Sequence, residues 1–174
     1  SRAAPADMRG MNAAAPVQIF APNGVPVSKT PTKPAANDTA LYAMTNAHAG
    51  EVWHIDVPAG FTPDDVIQIE GLTKGHAQIT LTLGEGASAS LVEHYNGQDD
   101  CFVNSHLNIK LAKGASPDRV IVQTDPATTV RIATTHVTAW ADAELRQHTL
   151  AFGGKLSRLE TRVAPMASGV KATL

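Results

Sequence analysis

Cys101 is the one cysteine of the chain, set in Asp99-Asp100-Cys101-Phe102-Val103-Asn104. As a thiolate it could accept sulfur or ligate a metal. No Cys-x-x-Cys or His-x-x-x-His spacing accompanies it, and its setting reads best as a small buried apolar residue at a strand start. Histidines stand at positions 48, 54, 76, 94, 106, 136 and 148. His76, His106 and His136 recur every 30 residues, a spacing that invites a stacked ladder of metal ligands. Cys101 with His94 or His106 makes a metal-binding regulatory domain one reading to weigh. Asp64-Asp65 and Asp99-Asp100 offer the paired carboxylates that glycoside hydrolysis uses. Adjacent strand residues face opposite sides, however, so neither pair would converge on one substrate. Gly153-Gly154 lacks the surroundings of a P-loop or dinucleotide fingerprint and reads as a plain corner.

The chain that must position these groups has 174 residues, 43% of them hydrophobic, which suits one domain or a piece of one. No apolar run reaches the roughly 18 residues that a membrane-crossing helix needs. A lone cysteine forms no internal disulfide and leans towards a reducing compartment. With 14 basic and 16 acidic side chains, the net charge of −2 gives no basic excess for nucleic-acid binding. The balance is uneven: five basic and eleven acidic groups lie in residues 1–100, nine and five in 101–174. That is either a solvated surface or a charge gradient that would bias the docking of a partner.

Two regions differ in texture. Residues 1–37 carry Pro5, Pro16, Pro22, Pro26, Pro31 and Pro34 among small and polar residues, with no periodic apolar pattern, and read as a poorly structured segment. Only Val17-Gln18-Ile19-Phe20 and Val25-Pro26-Val27 offer short extended pieces. Ser1 in place of Met suggests a cut start, and no apolar stretch follows a basic start as in a signal peptide. Residues 38–174 read as a core domain. Ile55-Asp56-Val57, Val66-Ile67-Gln68-Ile69 and Ile79-Thr80-Leu81-Thr82-Leu83 alternate apolar with polar, the period of a half-buried strand. Helical character is confined to short pieces such as Asn37–Ala49.

An internal repeat decides the architecture. Ala87, Ala115, Ala143 and Val170 lie 28, 28 and 27 residues apart, each preceded by a residue tolerant of left-handed geometry: Gly86, Gly114, Asp142 and Gly169. Four residues before each anchor stand Leu83, Leu111, Ala139 and Met166, and six before stand Leu81, Ile109, Val137 and Ala164. The residues between, Thr82, Lys110, Thr138 and Pro165, suit an outward face. Blocks that cannot bury their own apolar faces bury them by stacking, the logic of a solenoid. The expectation is an all-β parallel β-helix, with a sandwich as the competing architecture. In this register the three evenly spaced histidines fall eleven, nine and seven residues before their anchors and should not align.

Leu91-Val92-Glu93-His94-Tyr95 resembles the leucine–aliphatic–Glu–x–Tyr strand of the SufB/SufD proteins of iron–sulfur cluster assembly. Asn104-Ser105-His106-Leu107-Asn108-Ile109-Lys110-Leu111 with Gly114-Ala115 is similar to the next coil of that family. Thr149 to Glu160, with Gly153-Gly154 and Arg158-Leu159-Glu160, resembles its Leu-Gly-Gly-x-x-x-Arg-x-acidic segment, Phe152 standing between the leucine and the glycines. The resemblance covers about residues 38–174 and is densest from 91 to 163. Divergence from the sulfur-accepting SufB pattern favours SufD.

The resemblance implies a right-handed parallel β-helix that pairs with a SufB-like subunit and the SufC-like ATPase in a cytoplasmic scaffold. On that reading the chain is no enzyme, has no catalytic, cofactor-binding or metal residues to name, and carries no cofactor itself; the iron–sulfur cluster is handled by the whole complex. Family members carry a helical region before the β-helix, which residues 1–37 do not resemble, and further coils beyond the Leu174 equivalent. The chain therefore reads as an internal fragment that stops inside its fourth block, with an incomplete C-terminal end open to self-association. The alternative is a carbohydrate-binding or carbohydrate-active β-helix, for which Trp53, Trp140, Tyr42 and Tyr95 form no obvious aromatic platform.

Overall fold

The structure, a computed structural model, describes residues 8–33 and 40–174. Its strands are β1 (Gln18–Phe20), β2 (Val27–Pro31), β3 (Glu51–Val57), β4 (Ile67–Glu70), β5 (Gly75–Leu83) and β6 (Ser88–Tyr95). They continue as β7 (Phe102–Leu111), β8 (Ser116–Asp125), β9 (Val130–Ala139), β10 (Glu144–Gly153), β11 (Leu156–Pro165) and β12 (Lys171–Thr173). The helix α1 (Ala40–His48) lies between β2 and β3. One sheet runs β2-β3-β5-β7-β9-β11 and the other β1-β4-β6-β8-β10-β12. From β3 onward every pairing is parallel, and consecutive strands alternate between the sheets. The result is a parallel β-solenoid of about four turns.

The corners set the register. Gly84–Ala87, Ala112–Ala115 and Trp140–Ala143 are turns closed by a hydrogen bond from the last N–H to the first carbonyl. Their third residues, Gly86, Gly114 and Asp142, have φ of 66°, 66° and 58°. Each of these residues also donates its N–H to the corner of the next coil, to Lys113, Ala141 and Ser168 in turn. Ala87, Ala115 and Ala143 are completely buried just inside. Coils meet here at strand spacing, about 4.8 Å, which leaves a methyl group room and little more.

Inside, Leu81 pairs with Ile109 and Ile109 with Val137, while Leu83, Leu111 and Ala139 stack beside them. All six are buried, as the repeat requires. The fourth block corrects the sequence reading. Val163, not Ala164, continues the first column, and Pro165, not Met166, the second, so Ala164 rather than Pro165 faces outward. The connection from β10 to β11 is two residues shorter than that from β8 to β9 and the final corner one longer. The anchor Val170 therefore keeps its place while β11 slides.

The segment expected to be poorly structured contributes both sheet ends across residues 8–33. β1 pairs antiparallel with β4, and β2 antiparallel with β3. Arg9 bridges Cys101, Ala14 bridges His76, and Val25 is buried. The backbone of this segment finds partners although its side chains carry no burial pattern. Residues 1–7 and 34–39 lie outside the described residues, and with them the expected boundary at 37/38. α1 opens at Ala40 within the expected helical stretch and ends before Gly50, whose φ of 72° suits a helix terminus.

Leu111 is completely buried in the second column. Replacing it with alanine leaves a cavity, so Leu111→Ala should cost roughly 2–5 kcal/mol in urea unfolding. A loss below about 0.5 kcal/mol would place Leu111 outside the packed interior.

Candidate functional site

The solenoid interior changes character along its axis. In the second sheet the column Ile67–Leu91 continues as Arg119 and Gln147, and Ile69 is followed by Glu93. Arg119 Nε donates to Glu93 Oε1 at 2.5 Å and Arg119 Nη1 to Gln147 Oε1 at 2.7 Å. Tyr95 Oη donates to Glu93 Oε2 at 2.5 Å. Burial, reinforced by the Glu93 carboxylate, raises the Tyr95 phenol far above its ordinary range, so it stays a donor. Burial opposes the charge on Arg119, but Glu93 more than offsets it and holds the guanidinium protonated.

A second buried pair lies where β8 passes to β9. Arg131 grips Asp125 with two bonds, Nε to Oδ2 at 2.6 Å and Nη2 to Oδ1 at 2.7 Å, and Nη2 also reaches the Leu72 carbonyl at 2.9 Å. The Tyr95 ring lies 4.6 Å from the guanidinium carbon, a cation–π contact that joins the two pairs. Asp125 Oδ1 also accepts the Gly97 N–H at 2.6 Å. Arg119 Nη2 and Arg131 Nη1 are buried without a hydrogen-bond partner among the described residues.

Outside the first sheet, α1 covers β5 and β7 through polar contacts. Asn104 Nδ2 donates to the Leu41 carbonyl and to Thr45 Oγ1, both at 3.0 Å, and Gln78 Nε2 donates to Tyr42 Oη at 2.6 Å. His76 Nε2 donates to the Met11 carbonyl at 2.7 Å, while its Nδ1 accepts from Asn104 at 3.3 Å. Both contacts fit one neutral tautomer. His106 sits edge-on between Tyr42, 4.3 Å away, and His136, 4.8 Å away, and donates from Nε2 to Asn108 Oδ1 at 3.2 Å. Burial, then the neighbouring His136, pushes the His106 pKa down to about 4. Burial likewise lowers His76.

Beside α1 this face opens into a groove of about 260 Å³, lined on the solenoid side by His106, Thr134, His136, Arg158, Glu160 and Arg162. Glu160 lies between the arginines. Its Oε2 takes Arg158 Nη2 at 2.6 Å and its Oε1 takes Arg162 Nε. The two bonds hold its carboxyl below the usual range.

The structure therefore separates the residues that sequence spacing could have grouped. Cys101 is fully buried at the head of β7, and His94 is exposed on β6, paired with Glu70 at 3.3 Å. The three evenly spaced histidines share one outer face but no column. His76 pairs with Asn104, His106 with Gln78 and Thr134, and His136 with Asn108. His54 meets Thr30 Oγ1 at 2.7 Å. Asp65 caps its own turn through the Val66 N–H, Asp99 accepts Thr128 Oγ1, and Gly153-Gly154 form the corner into β11 with φ of 83° and 88°. Among the described residues no three His, Cys, Asp or Glu side chains gather in a metal-holding arrangement. The interior ion pairs escaped the sequence reading, although the repeat contains them. Arg119 stands four residues after Ala115, as Leu91 stands four after Ala87.

Against known proteins, the family model described as SUF system FeS cluster assembly, SufBD core domain, matches residues 67–174. The chain belongs to the SufBD core-domain family. The match begins at the first residue of β4 and takes in both interior ion pairs and the outer strands of the groove. It gives the chain a role in iron–sulfur cluster assembly by the SUF system and leaves the carbohydrate reading without support. No individual curated protein matches the chain. No helix among the described residues is long and apolar enough to cross a membrane.

Two predictions follow from the charges in this family member. Arg119→Leu alone strands Glu93 in the interior and should cost about 3–5 kcal/mol in urea unfolding. Adding Glu93→Leu should recover part of that loss, and strictly additive losses would show that the two side chains do not interact. The second concerns pH. His76 and His106 are neutral when folded and take up protons more readily when unfolded, near 6.5. Stability should therefore fall as pH drops from about 6.5 towards 4. His106→Gln should flatten that part of the melting-temperature profile, and an unchanged profile would contradict the assignment.

Proposed function

We propose that the chain is a SufD-like scaffold component that works by association with a SufB-like subunit and a SufC-like ATPase, with no catalytic activity of its own. The iron–sulfur cluster is cargo of the assembled complex, which operates in the cytoplasm, and this chain holds no resident cofactor. The observation that carries the reading is the SufBD core match laid on a stacked, parallel solenoid. Its lone thiol, Cys101, is sealed in the interior rather than offered to a sulfur donor, which favours SufD over SufB.

The surface supports association. β11 is paired on one side only, at the edge of its sheet. Leu150 and Phe152 on β10 and Leu156 at the start of β11 are at least half exposed, at 52%, 62% and 50%. An apolar coil beside an open strand edge is the kind of surface that another strand covers, from a partner or from further coils of the same protein. The same surface would let copies of the chain self-associate when no partner is present.

Mixing the purified chain with SufB-like and SufC-like subunits and following mass by light scattering after size exclusion tests the proposal. Co-elution of all three, with lower self-association of the chain once partners are added, is the expected result. A chain that elutes alone at high micromolar concentration, with cluster assembly by the other two unaffected, would overturn it.

A further inference from the structure

The groove beside α1 holds more polar chemistry than a supporting surface needs. We propose that it binds a small phosphate-bearing ligand on Arg158 and Arg162, an inference independent of the SufD reading. Parallel pairing sets the site's frame. Glu160 pairs with Thr134, which pairs with His106, and Arg162 pairs with His136. Arg158, Arg162, His136 and Thr134 thus line one wall of a single groove of about 260 Å³, and α1 forms the other.

Glu160 shows what the arginines can hold. Each guanidinium gives one nitrogen to a different oxygen of its carboxylate, so the pair is already arranged to bracket an oxyanion. A guanidinium carries five N–H donors, and these two side chains remain 56% and 57% exposed. Two arginines against one glutamate leave a positive surplus at the groove. Donors approach from β11 through the arginines and from β9 through Thr134 and His136. That spread suits the several oxygens of a tetrahedral phosphate better than the two of a planar carboxylate, and arginine's fork geometry favours such groups. The first turn of α1 lines the same groove, and the positive end of a helix adds to the preference for an anion. His106, buried and neutral, forms the floor beside these donors without adding charge.

Isothermal titration of the whole chain with inorganic phosphate, beside sulfate and acetate at matched ionic strength, tests this. Phosphate should bind saturably at one site and more tightly than acetate. Arg158→Gln and Arg162→Gln should each weaken binding about tenfold. Glu160→Gln, which removes the competing carboxylate, should strengthen it. Arg146→Gln, which alters an exposed arginine paired with Asp118 on the other sheet, should leave it unchanged. The arginines are exposed, so unchanged melting temperatures will confirm that their variants are folded. Absence of saturable phosphate binding, equal affinity for acetate, or binding indifferent to both arginine variants and to Glu160→Gln would each overturn the proposal.

Discussion

Everything in this molecule rests on a corner one residue wide. A left-handed backbone residue followed by a buried alanine turns the chain, and the corner N–H bonds to the same corner of the next coil. Left-handed geometry costs most L-residues roughly 1–2 kcal/mol, whereas glycine adopts it freely and aspartate tolerates it. Gly86, Gly114, Asp142 and Gly169 therefore fix where each coil begins. With the start fixed, a strand's alternation assigns every later side chain to the interior or the outside. A slip of one residue would exchange the two faces.

That constraint explains why charges can occupy the interior. Arg119, Glu93 and Arg131 come from positions that hold Leu91, Ile69 and Val103 in the coil before, and only the stacked register brings acid to base. A buried charge without its partner is costly, so these pairs oppose alternative registers even if they add little net stability. Tyr95 ties them together, with its hydroxyl on Glu93 and its ring against Arg131. The uneven charge along the sequence is partly resolved in the same way, since Arg119 in the basic half answers Glu93 in the acidic half. Outside, the same register lays Arg158, Glu160 and Arg162 along one strand of the groove beside α1.

The solenoid, its period and its two aliphatic columns were legible because glycine, alanine and leucine repeat at a fixed spacing. Three things were not. Val120 and Val122 look like core residues, yet they flank the inward Arg119, Ile121 and Gln123, because alternation gives a period without saying which face is buried. β1 falls within the extended piece read at Val17–Phe20, but β2 runs from Val27 to Pro31, beyond the piece read at Val25–Val27. The pairing of both at sheet ends is made by backbone, which leaves little mark on side-chain composition. The last coil keeps its anchor but shifts β11, a compensation between two connections that a fixed-interval reading averages away. The groove shares this difficulty, since α1 and β11 are far apart in sequence and meet only through the fold.

The family match lies on a stacked parallel solenoid, and that architecture depends on the register being right. Pairs of cysteines placed by substitution in a Cys101→Ser background, oxidised and mapped by mass spectrometry, test it most directly. Thr138 and Ala164 are adjacent across β9 and β11, with both side chains outward. Neighbouring parallel strands lie about 4.8 Å apart, within disulfide reach. Thr138→Cys with Ala164→Cys should cross-link readily, and Thr138→Cys with Pro165→Cys, whose side chain points inward, should not. Efficient cross-linking of the second pair and not the first would place β11 one residue out and contradict the stacking on which the account is built.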